Sequence, residues 1–545
     1  MRHMWYGIGA ALGLAICIGF FLVSCSGGQH PNPTPAPMPP NPGSGQADVV
    51  TFHADVARTG LYSSEGTLTP ANVNSAGFGK VGFFAVDGKV DAQPLLLSKL
   101  TLGNQGAHDV LYVVTEHDSA YAFDANSGAT LWKVSLLGAG ESPSDNHGCG
   151  QITPEIGITS TPVIDRAHNV IYMVAMSKDG SGNYFQRLHA LNLTNGTELF
   201  GGPVSIAASF PGNGPNSSGG KLTFNPGQYA ERAGLLLMNG VLYTAWTSHC
   251  DIQPYNGWII AFNALSLGQT SVLNLTPNGV EGSIWMSGTA PAADSSGNIY
   301  FLDANGTFDT RLNASGFPAL GDFGNAFLKI STTNGLAVND YFATSDTVAQ
   351  SNADNDLGSG GALVLPDMND SSGQVKHLAV GAGKDGNIYV VDRDNMGKFD
   401  ATTNHDYQTV SGVLAAAVFS MPAYFNGTIY YAAIGDALKA FTFTNALLST
   451  SSASQSRNNF PYPGATPAVS AKGASNAIVW AHENNNPAVL HAYDATNLAR
   501  ELYNSNQAGS RDQFGPGNKF ITPMIANGRV YVGTTNGVAV FGLLH

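Results

Sequence analysis

Apolar and polar positions in this chain alternate with the short period of β-strands, and the alternation is itself repeated. Between residues 90 and 541 one unit recurs about eight times, its clearest copy reading Asp109-VLYVVTEHDSAYAFDANSGATLW-Lys133. Each copy opens with a small residue, usually followed by Pro and an apolar run. The openings are AQPLLL at Ala92, STPVID at Ser160, TAPAAD at Thr289, SMPAYF at Ser420, ATPAVS at Ala465 and ITPMIA at Ile521, with AGLLLM at Ala233 and GALVLP at Gly361 less regular. A β-branched and aromatic strand follows each opening, marked by Tyr112, Tyr172, Tyr243, Tyr300, Tyr389, Tyr430, Trp480 and Tyr531. The markers lie about 60 residues apart, a spacing that suits four strands per unit. The pattern predicts an all-β fold, an eight-bladed β-propeller of four-stranded antiparallel blades. The last strand set, RVYVGTTNGVAVFGLL from Arg529, ends one strand short. Ring closure therefore predicts that VVTFHADVARTG or FGKVGFFAV from the N-terminal region completes its blade and removes the open edge.

The N-terminus breaks the pattern. Arg2, an apolar run from Ile8 to Val23 and the sequence Leu22-Val23-Ser24-Cys25 read as a lipoprotein signal peptide over residues 1–24, with Cys25 as the lipidated residue. The apolar run is short for a spanning helix and ends in small residues before the cysteine. Residues 25–46 form a Pro/Gly-rich tether with no means of building a core, so the propeller occupies 47–545. Ser26 after the cysteine resembles the outer-membrane sorting of enterobacterial lipoproteins. The expected place is the cell envelope, reached through the lipid anchor alone.

Charge narrows the partners. The net charge is −14, only 11% of residues are charged and 65 are Gly, so there is no basic stripe for nucleic acid. Of four cysteines, Cys17 leaves with the signal and Cys25 takes lipid. Cys149 and Cys250 remain in an oxidising compartment, where a disulfide is expected. His147, Cys149, His249 and Cys250 sit in two loops of neighbouring blades, and four such side chains can alternatively bind zinc or copper. No CxxCH haem motif is present, so electrons from any redox chemistry would leave by a separate carrier.

In a propeller the loop leading into each inner strand and the loop between the second and third strands share one face. On that face the sequence places Glu155, Arg232, Trp285, Asp354, Asp356, Lys384, Arg511 and Lys519. Asp367, Asn369 and Asp370 of LPDMNDSSG suggest a polar hairpin tip or a Ca²⁺ loop. Phe460, Pro461, Tyr462 and Pro463 suggest packing between blades or stacking on a ligand.

The units AYAFDANSGATLW (120–132) and GKDGNIYVVDRDNMG (383–397) resemble the repeats of pyrroloquinoline quinone (PQQ) enzymes, the quinoprotein alcohol dehydrogenases. The resemblance implies a PQQ and Ca²⁺ centre oxidising an alcohol or sugar. It implies Trp285 of SIWMSG as the floor under the quinone, Asn305 of DANG as a Ca²⁺ ligand, Asp354 or Asp356 as the catalytic carboxylate and Lys384 facing the quinone oxygen. Asp251 of SHCD is the nearest candidate for the remaining Ca²⁺ carboxylate, with Asp356 also near the ion. The chain departs from the family where HGCG offers only Cys149 in place of a vicinal Cys-Cys ring. It departs again where TGNP has become DANG, where WD has become ND, and where Asp251 stands for Glu. Two classes of function follow: a PQQ/Ca²⁺-dependent envelope oxidoreductase, or a non-catalytic tethered propeller that presents the same face to an envelope protein or a glycan.

Overall fold

The computed structural model describes residues 48–103 and 106–544. The signal peptide, Cys25 and nearly all of the tether lie outside the described residues. Eight sheets of four main strands follow one another along the chain, mostly by antiparallel pairing of sequence neighbours. They span residues 95–135, 163–205, 236–274, 292–342, 363–410, 423–460 and 468–504, and are blades 1 to 7. Blade 8 takes three strands from 524–543 and its fourth from Phe78–Ala85. Phe78 lies opposite Leu543 and Ala85 opposite Gly537, so the FGKVGFFAV segment closes the ring as predicted. The marker aromatics are buried, with Tyr172, Tyr300 and Trp480 0% exposed, and stand in the second strand of every blade but the fifth, where Leu378–Ala382 is the second strand and Tyr389 falls in the third. Their hydroxyls tie blades together, with Tyr112 donating to Leu193 O, Tyr172 to Ala264 O and Tyr430 to Ala495 O.

The other N-terminal segment does something the repeat pattern does not foretell. Residues 49–60 run along the inner edges of the blades as a strap. Val49 exchanges backbone hydrogen bonds with Leu96 of blade 1, and Val50 O accepts from Ile164 of blade 2. Val56 O accepts from Ala293, Ala57 O from Val364, Thr59 O from Tyr424 and Gly60 O from Val469, covering blades 4 to 7 in order. In five of these six blades the bonded residue stands two places after the Pro of the opening; blade 5 keeps the position without the Pro. Inner strands present unpaired edge groups toward the axis, and this strap satisfies them one blade at a time.

Blades 3 and 8 are reached by side chains. The guanidinium of Arg58, fully buried, donates to Leu235 O of blade 3 and Pro291 O at blade 4, and to Thr51 Oγ1, Phe52 O and Asp55 O within the strap. Glu65 accepts from Gly528 N of blade 8 at 2.7 Å. His53, also 0% exposed, joins Arg58 O to Pro467 O of blade 7 through its two ring nitrogens. Gly60 takes φ +65°, and a Cβ there would lie 2.3 Å from the His53 ring.

Arg58→Met should lower stability by at least about 3 kcal/mol, because it leaves four carbonyls and a hydroxyl without their charged donor. Gly60→Ala should be of similar severity, through collision with His53 and a strained φ. Chemical denaturation checks both, and variants that unfold at the parent's midpoint would show that the strap is dispensable.

Candidate functional site

One cleft opens on the face formed by the loops leading into inner strands and the loops between second and third strands. Its walls come from blades 2 to 6, and Trp285, Asn305, Asp356, Lys384, Asp251, Cys149 and Cys250 all line it. Asp354 is not among the lining residues and stands at the rim, its side chain 70% exposed.

Trp285 sits on a strained turn. Met286, Ser287 and Gly288 follow it with φ of 50°, 54° and 77°, a left-handed run that two non-glycine residues adopt only under external constraint. The constraint is visible: Ser287 Oγ donates to Ser359 O of the loop before blade 5, and Thr289 Oγ1 donates to Met286 O at 2.7 Å. The indole then meets Phe419 and Phe520 edge-on, with ring centroids 5.7 and 5.3 Å away. Tyr462 touches both of those rings, so the stacking residue anticipated in the FPYP stretch reaches the cleft's aromatic rim, while Phe460 packs inside.

Asn305 follows the second strand of blade 4, and its turn is held by close backbone packing. Gly282 N donates to Asn305 O at 2.6 Å, and a Cβ on Gly306 would fall 2.3 Å from that same nitrogen. Asn305 Nδ2 donates to Asp354 Oδ1 at 2.7 Å, leaving Asn305 Oδ1 buried without a partner. Asp356 is 3% exposed and lies 2.7 Å from the Lys384 amine, which also pairs with Asp354. Burial pushes the Asp356 carboxyl up to about 6, Lys384 pulls it back and Asp354 pushes it further. Burial disfavours the Lys384 charge, yet Asp356 and Asp354 hold its pKa above the ordinary lysine value. Two carboxylates missed by sequence reasoning lie near. Glu281 is raised by burial and then by Asp251, Asp354 and Asp356, and Asp303 by burial and Asp356. This end of the cleft carries more negative charge than Lys384 neutralises.

The family-implied Ca²⁺ can be tested against these donors. The orphaned amide oxygen of Asn305, the carboxylate of Asp356 and the acidic excess suit a hard, oxygen-seeking cation. Asp251 lines the same cleft but already accepts from Tyr255 OH at 2.8 Å. Among the described residues no group of three or more His, Cys, Asp or Glu is gathered around a common point. An ion here would draw on Asn305, Asp356 and solvent oxygens.

Cys149 and Cys250 are joined as a disulfide between the loops of blades 2 and 3. Their sulfurs are bonded to each other, so the four-ligand zinc or copper reading lacks its thiolates. His147 and His249 stack at 4.0 Å beside the bridge. His249 is 5% exposed, and burial and then the neighbouring His147 depress its pKa to about 4. Elsewhere the structure separates what the sequence grouped. Arg511 pairs with Asp512 and the carbonyls of Ser75 and Phe78, so it anchors the closing strand of blade 8 and does not face the cleft. Glu155 pairs with His117 at 2.9 Å in a neighbouring groove. Asp370 caps its own turn by accepting from Ser372 N and Gln374 N, the polar hairpin tip of the two readings.

Below about pH 6.5 the unfolded chain protonates its histidines first, while His249 in the fold resists down to about 4. Stability should fall over that interval. His249→Phe should flatten the acid limb of a melting-temperature profile, by up to about 3 kcal/mol at pH 4. Parallel profiles for parent and variant would show that His249 is not a source of acid sensitivity.

No family model and no curated protein matches the chain. Solved structures do. A quinohemoprotein alcohol dehydrogenase from Comamonas testosteroni superposes with a TM-score of 0.61 at 13% identity, covering 91% of this chain and 80% of that one. A quinohemoprotein alcohol dehydrogenase from Pseudomonas putida HK5 gives 0.58 at 12% identity, with the same coverage. A europium-containing methanol dehydrogenase gives 0.59 at 12% identity, covering 91% of this chain and 98% of its own. At this identity the likeness is one of fold: the chain is an eight-bladed β-propeller similar in fold to these dehydrogenases.

Proposed function

We propose that the cleft is the site of a PQQ and Ca²⁺-dependent oxidation of an alcohol or sugar. The observation that carries this reading is the convergence in one cleft of Trp285, Asn305, Asp356 and Lys384, four residues drawn from separate loops in the order the resemblance implies. When bound, the quinone would supply the hydride acceptor and the cation would polarise it. The protein's part is then as follows. Trp285, fixed by its strained turn, offers a rigid aromatic face for a planar ring. Asp356 accepts the proton of the substrate hydroxyl, and its pKa near 6 leaves it largely ionised at neutral pH. The Lys384 amine would help hold the quinone by donating a charge-assisted hydrogen bond to it. Asp354 holds Lys384 and Asn305 in place from the rim.

The same reading assigns Cys25 as a lipid attachment and the cell envelope as the location. A second reading, a binding propeller for an envelope protein or glycan, is favoured by the lack among the described residues of a gathered set of metal-ligating carboxylates. The partner would then meet the aromatic rim of Phe419, Tyr462 and Phe520.

Protein reconstituted with PQQ and Ca²⁺ should show dye-linked oxidation of an alcohol or sugar. Asp356→Ala should reduce it at least about 100-fold, the usual size of a general-base contribution. Lys384→Ala should weaken PQQ binding about tenfold or more, with melting temperature little changed in both. The rate should fall as pH drops through the Asp356 value, because the protonated carboxyl cannot accept. Absence of PQQ binding at micromolar concentration would reject the enzyme and leave the binding propeller.

A further inference from the structure

Arg232 is the least explained group in the cleft. It precedes the inner strand of blade 3, lines the cleft and is 3% exposed. Its Nε and Nη1 are buried with no hydrogen-bond partner among the described residues. What holds it is aromatic: the guanidinium lies 4.7 Å from the ring centre of Phe520 and 5.8 Å from that of Trp285. Buried guanidinium groups are normally saturated, as Arg58 is with five acceptors, because an unmet N–H forfeits its hydration for nothing.

The surroundings sharpen the anomaly. Asp91 and Glu116 lie near enough to favour the Arg232 charge, yet neither hydrogen-bonds its Nε or Nη1, and Glu116 Oε1 is itself buried without a partner. Asp91 pairs with Lys89 at 3.7 Å and accepts from Asn518, and Glu116 Oε2 accepts from Gly157 N and Thr159 Oγ1. Lys519, adjacent in sequence to Phe520, donates to Gly150 O beside the disulfide and feels both Arg232 and Lys89 as like charges. The cleft therefore carries opposite charges along its length, with acidic Asp356 and Asp251 toward blades 3 to 5 and cationic Arg232 against the aromatic wall. Held against two rings that stand nearly perpendicular to each other, with donors unmet, the guanidinium is placed to receive an anion.

We propose that Arg232 is the receptor for a carboxylate carried by the occupant of this cleft, which makes the cleft a site for an organic acid. The carboxylate has two possible sources, a quinone cofactor or an acidic sugar substrate, and the two are separable. The inference does not require the redox reading, since it rests on the unmet donors alone.

The test titrates the full mature protein and its Arg232→Gln variant with PQQ and, separately, with galacturonate and neutral galactose, reading quenching of Trp285 fluorescence with Trp285→Phe as the blank. If the cofactor brings the carboxylate, Arg232→Gln should weaken PQQ about 10- to 100-fold and leave galacturonate within twofold. If the substrate brings it, galacturonate should weaken by that factor, galactose should bind poorly to both proteins and PQQ should stay within twofold. Galacturonate binding without PQQ binding would fail the oxidoreductase reading and keep this one. The proposal is overturned if neither acid binds the parent, or if both bind the variant within twofold of the parent. If Arg232→Gln unfolds the protein, Arg232→Lys, which keeps the charge without the planar fork, takes its place, and the proposal is overturned if that variant folds and binds PQQ and galacturonate within twofold of the parent.

Discussion

The inner edges of the blades are the constraint on which everything else rests. An antiparallel ring of eight sheets leaves eight rows of backbone donors and acceptors pointing at its axis; residues 49–60 answer those of blades 1 to 7, and Glu65 reaches blade 8. That explains the buried Arg58, which converts a channel of carbonyls into its own coordination shell, and the glycine at position 60, where only a hydrogen fits beneath His53. It also explains why a cleft assembled from five blades can be exact. Cys149, Arg232, Trp285, Asp356 and Phe419 arrive from five different leading loops. Their relative positions are only as good as the fixing of blade against blade, which the strap and Phe78–Ala85 provide from the two edges of the ring.

Within that frame the cleft stores unfavourable arrangements that a purely structural surface would shed. Met286 and Ser287 sit in left-handed conformations behind Trp285, Asn305 keeps an unmet oxygen, Arg232 keeps unmet N–H groups, and Asp356 carries a charge in a buried place. Each costs free energy in the empty protein, and each would be relieved by an occupant of matching polarity. Their concentration between one aromatic wall and one acidic wall separates this region from the small satellite groove over blades 3 and 4, whose lining of Tyr243, Thr270, Ser271 and Leu336 carries no charged group.

Much of this was legible in the sequence because repetition makes each blade a control for the others. The Pro of the opening and the aromatic of the second strand located the inner two strands, and the loop rule then gathered Trp285, Asn305, Asp356 and Lys384 onto one face. The choice between Asp354 and Asp356 was not legible, since burial alone distinguishes them and one residue of loop geometry decides it. Arg511 looked equivalent to Arg232 by position in its loop, but a following Asp512 captures it. The strap left no trace in periodicity because its residues pair with six different strands, so HADVARTG reads as a polar linker. The loop rule placed Arg232 on the face, but nothing in the sequence singled it out there, for what marks it is the absence of partners, which only packing reveals.

The central claim is that the cleft is built to hold a planar acid beside a hard cation. Native mass spectrometry of the protein, produced in a host that makes PQQ and supplied with Ca²⁺, addresses it most directly. The account predicts a population heavier by one PQQ and one metal ion, lost together when Asp356 and Arg232 are both substituted. A protein that emerges only at its bare polypeptide mass, with its fold intact by circular dichroism, would contradict it.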